Sequence, residues 1–201
     1  MSELTLPSIR LALLAQSRPI LPPGPDRPLA CVAMVLAGPS AEPQICFIRR
    51  AERPGDRWSG QMAFPGGRAD PGDPSAQAVA EREAAEEVGL TLDPQHLIAP
   101  LTEMPVRPRG PDERMRLAAF VYRLEGPPPP LTPQTEEVAE ALWVPLRLVY
   151  DPAKRVRYQL MRNGSALEFP GISLGEHVVW GLTYRVLAEL GKKVGQPLPA
   201  E

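Results

Sequence analysis

Cysteine is scarce in this chain, with only Cys31 and Cys46 among 201 residues. Two thiols cannot form a disulfide framework or a four-ligand zinc site, and both lie in apolar, strand-like runs, so they read as buried free thiols. The two histidines, His96 and His177, show no ligand spacing and read as structural or exposed. An excess of basic charge is also missing: 22 Lys and Arg stand against 24 Asp and Glu, a net charge of -2. A protein that grips a polynucleotide by its phosphates needs a basic face, so no nucleic acid polymer is expected as a partner, while small phosphorylated molecules remain open. Long apolar runs are absent too. Leu11 to Ala15, the longest near the N-terminus, lacks the flank and cleavage site of a signal peptide, and no later run reaches the length of a spanning helix. The expectation is a cytoplasmic protein with no membrane partner.

Proline is plentiful, with 27 residues, which implies stiffened connections in a loop-rich fold. The composition, 43% hydrophobic and 23% charged, suits one substantial core. Residues 1–28 read as an N-terminal arm in which Pro7 to Gln16 has helical spacing, followed by a proline-rich stretch from Pro19 to Pro28. Residues 29–195 read as one domain. Within it, Leu29 to Leu36 and Gln44 to Arg49 are β-type runs joined by a turn, and Met62 to Phe64 is a short strand leading into a glycine loop at Pro65-Gly66-Gly67. Ser75 to Val88 is the best helix, with Asp73 or Ser75 to cap its start and Gly89 to end it. Leu97 to Val106 and Arg116 to Leu124 read as a hairpin, and Pro127 to Pro130 as a rigid spacer. Glu140 to Val144 reads as a strand, Pro145 to Tyr150 as a short helix, Arg155 to Leu167 as a polar hairpin and Glu176 to Leu190 as a helix with Trp180 and Leu182 in the core. Strands with helices between them give an α/β (α+β) class with a mixed β-sheet covered by helices.

Chemistry concentrates at Arg82-Glu83-Ala84-Ala85-Glu86-Glu87-Val88-Gly89-Leu90. On a helix, Glu83 projects beside both Glu86 and Glu87, while Ala84, Ala85 and Val88 are placed to pack inward. Three crowded carboxylates push at least one to keep its proton, and a hard divalent cation relieves the crowding. A helix with a solvated acidic face is the bland alternative. The glycine pair just upstream favours a site, because bare backbone at Gly66 and Gly67 can approach both a metal and phosphate oxygens.

These residues resemble the box of the Nudix hydrolase family: Gly, five residues, Glu, seven residues, Arg-Glu, an apolar residue, any residue, Glu-Glu, any residue, Gly and an apolar residue. Arg82 to Leu90 matches the second half in full, with Ala84 at the first apolar position. The first half departs, since five residues after Gly67 comes Asp73, and eight residues separate Asp73 from Arg82. In the family the early Glu supports loop and helix, a role open here to Asp73 or Asp70. The resemblance implies an α/β/α sandwich of Nudix type and hydrolysis of a pyrophosphate bond with Mg2+, for which Mn2+ can substitute. It assigns Glu83, Glu86, Glu87 and the Gly66 carbonyl to the metal, and gives Arg82 the bracing of a carboxylate. The proton of the attacking water goes to a box glutamate or to a distant acid, with Glu136 and Glu137 as candidates.

Two further segments resemble the coenzyme A pyrophosphatase branch of that family. One runs from Phe47-Ile48-Arg49-Arg50 to Gly60-Gln61-Met62-Ala63-Phe64-Pro65-Gly66-Gly67, and the other is Val179-Trp180-Gly181-Leu182-Thr183. The histidine that this branch carries ahead of Gly-Gln is replaced by Arg57-Trp58-Ser59. The resemblance makes coenzyme A or its thioesters the first choice of substrate, with a nucleotide sugar, dinucleotide or nucleoside triphosphate next, and a nucleotide-sensing module without catalysis as the reading of another class. Arg49 and Arg50 are candidates for extra phosphates, or simple surface charges. Trp58 is a candidate for stacking on a base, or a packing anchor. Gly67 is a candidate for contact with the substrate phosphates. The apolar residues of the arm, Leu11 to Leu14, either cover a partner subunit in a homodimer or fold back on their own core.

Overall fold

The computed structural model describes residues 4–24, 28–56, 58–106, 115–134, 136–162 and 164–199. At its centre, Leu29–Ala37 (β1) pairs in parallel with Arg116–Arg123 (β6) and meets Gln44–Arg50 (β2) antiparallel at Leu36↔Ile45. β2 also pairs antiparallel with Met62–Ala63 (β3) and Val138–Pro145 (β7), and Leu97–Pro105 (β5) pairs antiparallel with β6. Gly66–Arg68 (β4) completes the sheet along β1. The mixed sheet expected from the sequence is therefore present, with one correction. Gly66 and Gly67 do not form a loop but a short strand, because β1 offers a free ladder edge at Ala30 to Val32 and the glycines permit close approach.

Alternation along the strands explains the layers. Cys31, Ala33 and Val35 of β1, with Cys46 and Ile48 of β2 and Phe120 and Tyr122 of β6, face the helix Ala76–Val88 (α2). Met34, Leu36, Ile45 and Phe47 face the opposite side, where Leu6–Gln16 (α1), Leu146–Tyr150 (α3) and Gly181–Lys193 (α4) supply the covering apolar groups. Strands buried on both faces read as continuous apolar runs, which is why β1 is apolar throughout. The result is an α/β/α sandwich. Leu6, Ile9 and Leu13 of α1 are buried in the core, against β5 and α4, while Leu11 and Leu14 stay exposed. No helix among the described residues is long and apolar enough to cross a membrane.

The C-terminal region departs from expectation. Arg155–Arg162 (β8) and Ser165–Leu174 (β9) form a hairpin, and His177–Trp180 (β10) adds to β9 as a third strand instead of starting a helix at Glu176. The β-branched and aromatic run Val178-Val179-Trp180 suits a strand, and Gly181, at φ +62, makes the turn into α4 that a side chain would resist. Trp180 is thus not a helical core residue. It is half-buried and stacks on Tyr158 with ring centroids 4.3 Å apart. The segment 107–114 of the expected hairpin, Arg57, and residues 25–27 of the proline-rich stretch lie outside the described residues.

Ser75 caps α2, its hydroxyl accepting the Ala78 N–H at 3.1 Å, and Gly89 closes the helix at φ +71. Ser75→Ala is expected to cost about 1 kcal/mol in urea unfolding; an unchanged midpoint would show that the helix is held by packing alone.

Candidate functional site

α2 is amphipathic in an unusual sense, because its sheet-facing side carries a carboxylate. Ala84 and Val88 pack inward as expected, but Ala85 is exposed and Glu87 is buried, with 3% of its surface exposed. Glu87 accepts the Gly66 N–H at 2.8 Å, which fastens β4 to the helix. Burial pushes the Glu87 carboxyl up to about 7, the Gly66 hydrogen bond opposes this, and the nearby Glu83 adds to it. Burial also raises the Glu83 carboxyl, against the pull of Arg82. Cys46 lies near Glu87, and burial drives its thiol up to about 12, so it is inert packing.

Arg82 is the hub. Its guanidinium donates to both Asp73 oxygens at 3.1 and 3.0 Å, to Glu83 Oε1 at 3.0 Å, to Glu86 Oε2 at 2.8 Å and to the Arg68 carbonyl at 3.2 Å. Asp73, not Asp70, therefore takes the supporting place: Asp70 stands 3.8 Å away and largely exposed. Its hydrogen bonds from Arg82 hold the Asp73 carboxyl below the usual range despite desolvation. The glycines explain how the carboxylates fit. A Cβ on Gly67 would overlap the Glu83 carboxylate, and one on Gly66 would overlap the Cys31 carbonyl and lie 2.7 Å from the Val32 Cα.

A cleft of about 380 Å³ opens over these groups. Glu83, Glu87, Glu137, Arg50 and Arg68 line it together with Gly66 and Gly67. Met115 and Leu117 of the β6 side, Val106, Leu182 and Val186 supply apolar lining, with Trp58 in the wall. The structure thus brings together Arg50, Trp58, Gly66, Gly67, Glu83, Glu87 and Glu137. It leaves Arg49, Arg82, Glu86 and Glu136 out of the lining. Arg49 faces Glu140 at 3.6 Å, Glu86 is exposed on Arg82, and the Glu136 carbonyl receives Arg53. Glu137 sits 3.4 Å from the same Arg53.

Sequence reasoning missed the parts that join these elements. Thr183 Oγ1 donates to the Met62 carbonyl at 2.9 Å, so the C-terminal Gly-Leu-Thr segment and the Gly-Gln-Met segment meet at one hydrogen bond. The chain that follows the proline-rich spacer also reaches the site. Thr132 N–H donates to the Val88 carbonyl and Gln134 N–H to the Glu87 carbonyl, both at 2.9 Å, while Glu137 N–H donates to the Gln134 carbonyl at 3.0 Å. No residue pattern marks such backbone relays. His96 accepts the Asp93 N–H at 3.0 Å and His177 lies 3.0 Å from Glu140, both away from the cleft.

Among the described residues no three His, Cys, Asp or Glu side chains converge on one point. Arg82 draws Glu83 and Glu86 to itself, and Glu87 turns to the Gly66 amide. The donor set still fits a hard divalent ion: all its ligating atoms are oxygens, and the raised carboxyls of Glu87 and Glu83 record a charging cost that a cation would reverse.

Residues 27–163 match the model of the NUDIX domain. Human mitochondrial coenzyme A diphosphatase NUDT8 is 31% identical over 155 residues, 77% of this chain and 64% of that protein. Its mouse counterpart is 31% identical over 174 residues, 86% of this chain and 80% of its own. An uncharacterised Schizosaccharomyces pombe protein, C14C4.10c, is 36% identical over 121 residues, 59% of this chain, which spans only 36% of that relative. In structure, a MutT/nudix family protein from Enterococcus faecalis aligns over 95% of this chain and 70% of its own with a TM-score of 0.58 at 16% identity, a likeness of fold. The box on α2, the sandwich that carries it and the domain match agree: this chain belongs to the Nudix family.

Proposed function

We propose that this protein hydrolyses the pyrophosphate bond of a nucleoside diphosphate linked to another group, with coenzyme A or its thioesters the preferred substrate, giving phosphopantetheine and an adenosine bisphosphate. The observation that carries this is the cleft itself, whose lining combines Glu83 and Glu87 beside Gly66-Gly67 with a set of apolar side chains. Such a cleft suits a molecule with a charged middle and a less polar arm. The similarity to the two mammalian coenzyme A diphosphatases supports the substrate choice.

Glu83, Glu86, Glu87 and the Gly66 carbonyl would hold Mg2+, with Mn2+ as a substitute, and the ion supplies Lewis acidity toward the pyrophosphate. The chain's own groups do the rest. Arg82 keeps Glu83 and Glu86 oriented, and Arg50 and Arg68 neutralise phosphate charge from the cleft wall. Water forms one P–O bond as the bridging P–O bond breaks, and its proton passes to Glu137, the acid of the Glu136-Glu137 pair that lines the cleft. Trp58 and the apolar lining take the remainder of the substrate.

The test is a cleavage panel of coenzyme A, acetyl coenzyme A, ADP-ribose, a dinucleotide and nucleoside triphosphates with magnesium. Coenzyme A or its thioester is expected to lead in kcat/KM. If another pyrophosphate leads, the substrate choice falls and the hydrolase stands; binding without cleavage would favour a nucleotide sensor.

A further inference from the structure

The chain from Ala51 to Gln61, between β2 and β3, carries an arrangement that the acidic site does not require. Its ends are pinned: Arg50 N–H donates to the Gln61 carbonyl at 3.0 Å and Ala51 N–H to the Glu137 carbonyl at 2.8 Å. Between them, the carboxylate of Asp56 is shared. Oδ2 accepts Arg50 Nη2 at 3.1 Å, and Oδ1 accepts the Trp58 N–H at 3.0 Å. Burial works against that charge, yet the Trp58 amide and Arg50 outweigh it and hold the carboxyl below the usual range. Asp56 itself does not line the cleft, but the two residues it holds do. Arg50 Nε, although buried, has no hydrogen-bond partner among the described residues, so the guanidinium keeps a donor unused by the fold. Asp56 thus ties a cationic and an aromatic part of the wall to one rigid group.

We propose that Asp56 is a positioning residue that sets substrate selectivity, holding the Arg50 guanidinium and the Trp58 backbone in the cleft wall, one for a phosphate and the other for a nucleoside base, so that base-bearing pyrophosphates are favoured over those without one. A guanidinium fits the phosphate and an indole the base face. Contacts held this way improve binding in ground and transition state alike, so their loss raises KM and leaves kcat. The proposal rests on the hydrolase reading above.

The experiment compares the full-length protein with its Asp56→Ala and Asp56→Asn variants, using the best nucleoside substrate of the panel and an alkyl diphosphate that has no base. Asp56→Ala is expected to raise KM for the nucleoside substrate about tenfold, the worth of a hydrogen bond to a charged group, with kcat within about twofold. The alkyl diphosphate, which has the Arg50 contact to lose but not the Trp58 one, is weakened less, so the preference for the nucleoside substrate falls. Asn keeps an acceptor for the Trp58 amide, and Asp56→Asn recovers much of that preference. A fall in kcat with KM unchanged, or an equal loss on both substrates, would overturn the assignment. Should the wild-type protein cleave nothing, the hydrolase reading fails, and calorimetric titration with ADP decides the positioning role alone. Binding weakened about tenfold by Asp56→Ala and recovered by Asp56→Asn upholds it; equal binding by all three proteins, or none by any, rejects it.

Discussion

Glu87→Gln is expected to remove activity while changing the pH dependence of folding in the opposite sense. Loss of one carboxylate from the site forfeits several kcal/mol of transition-state stabilisation, a fall in kcat on the order of 10²–10³-fold. In metal-free protein, however, the Glu87 charge is a burden, since burial lifts its carboxyl from 4.5 to about 7. A raised carboxyl binds its proton more tightly when folded than when unfolded. Its contribution is therefore fully present below about pH 4.5 and is lost as pH rises through about 7. Gln does not titrate. Between pH 4.5 and pH 8, in chelator, the stability of the wild type relative to Glu87→Gln should fall by about 3 kcal/mol. Urea midpoints at several pH values measure this directly. Parallel curves for the two proteins would mean that Glu87 is not desolvated as described.

The second large effect comes from a hydrogen atom. Gly67→Ala adds a methyl group where the Glu83 carboxylate stands, and β1 fixes the backbone on the other side, so the carboxylate must move. Displacement of a reacting group by about 1 Å costs on the order of 10²-fold in rate, and overpacking of this kind costs about 1–3 kcal/mol in stability. Gly72→Ala is the control, because a Cβ there meets nothing within 4 Å. Its activity and unfolding midpoint should stay at the wild-type values. If Gly67→Ala turns over substrate at the wild-type rate, the position of Glu83 is not set by Gly67.

Much of this was legible because local signals and tertiary packing agree. Ser75, the acidic repeat and Gly89 mark α2 from start to stop, and the apolar runs of β1, β2 and β6 mark strands covered on both faces. Legibility failed where structure depends on a distant partner. Gly66 and Gly67 have no strand propensity of their own and become β4 only by pairing with Ala30 to Val32. Helical spacing around Trp180 concealed β10, whose evidence lies in its register with Gly171 to Leu174. Ala85 seemed an inward residue because it is apolar, whereas Glu87 takes the buried place. No residue pattern singles out Asp56 or Arg53, and only the fold sets one against Arg50 and Trp58 and the other against Glu137.

The strand of backbone that runs from the end of α2 through Gln134 to Glu137 bears on how such a protein ages through mutation. Two acids far apart in sequence, Glu87 and Glu137, are linked by a relay of backbone amides and carbonyls. Every amino acid but proline supplies the same amide, so substitutions at Thr132 or Gln134 leave the gauge intact. A change of length there would break it. The side chains of Thr132 and Gln134 are therefore free to drift over generations, while the number of residues between α2's partner amides and Glu137 is the inherited quantity.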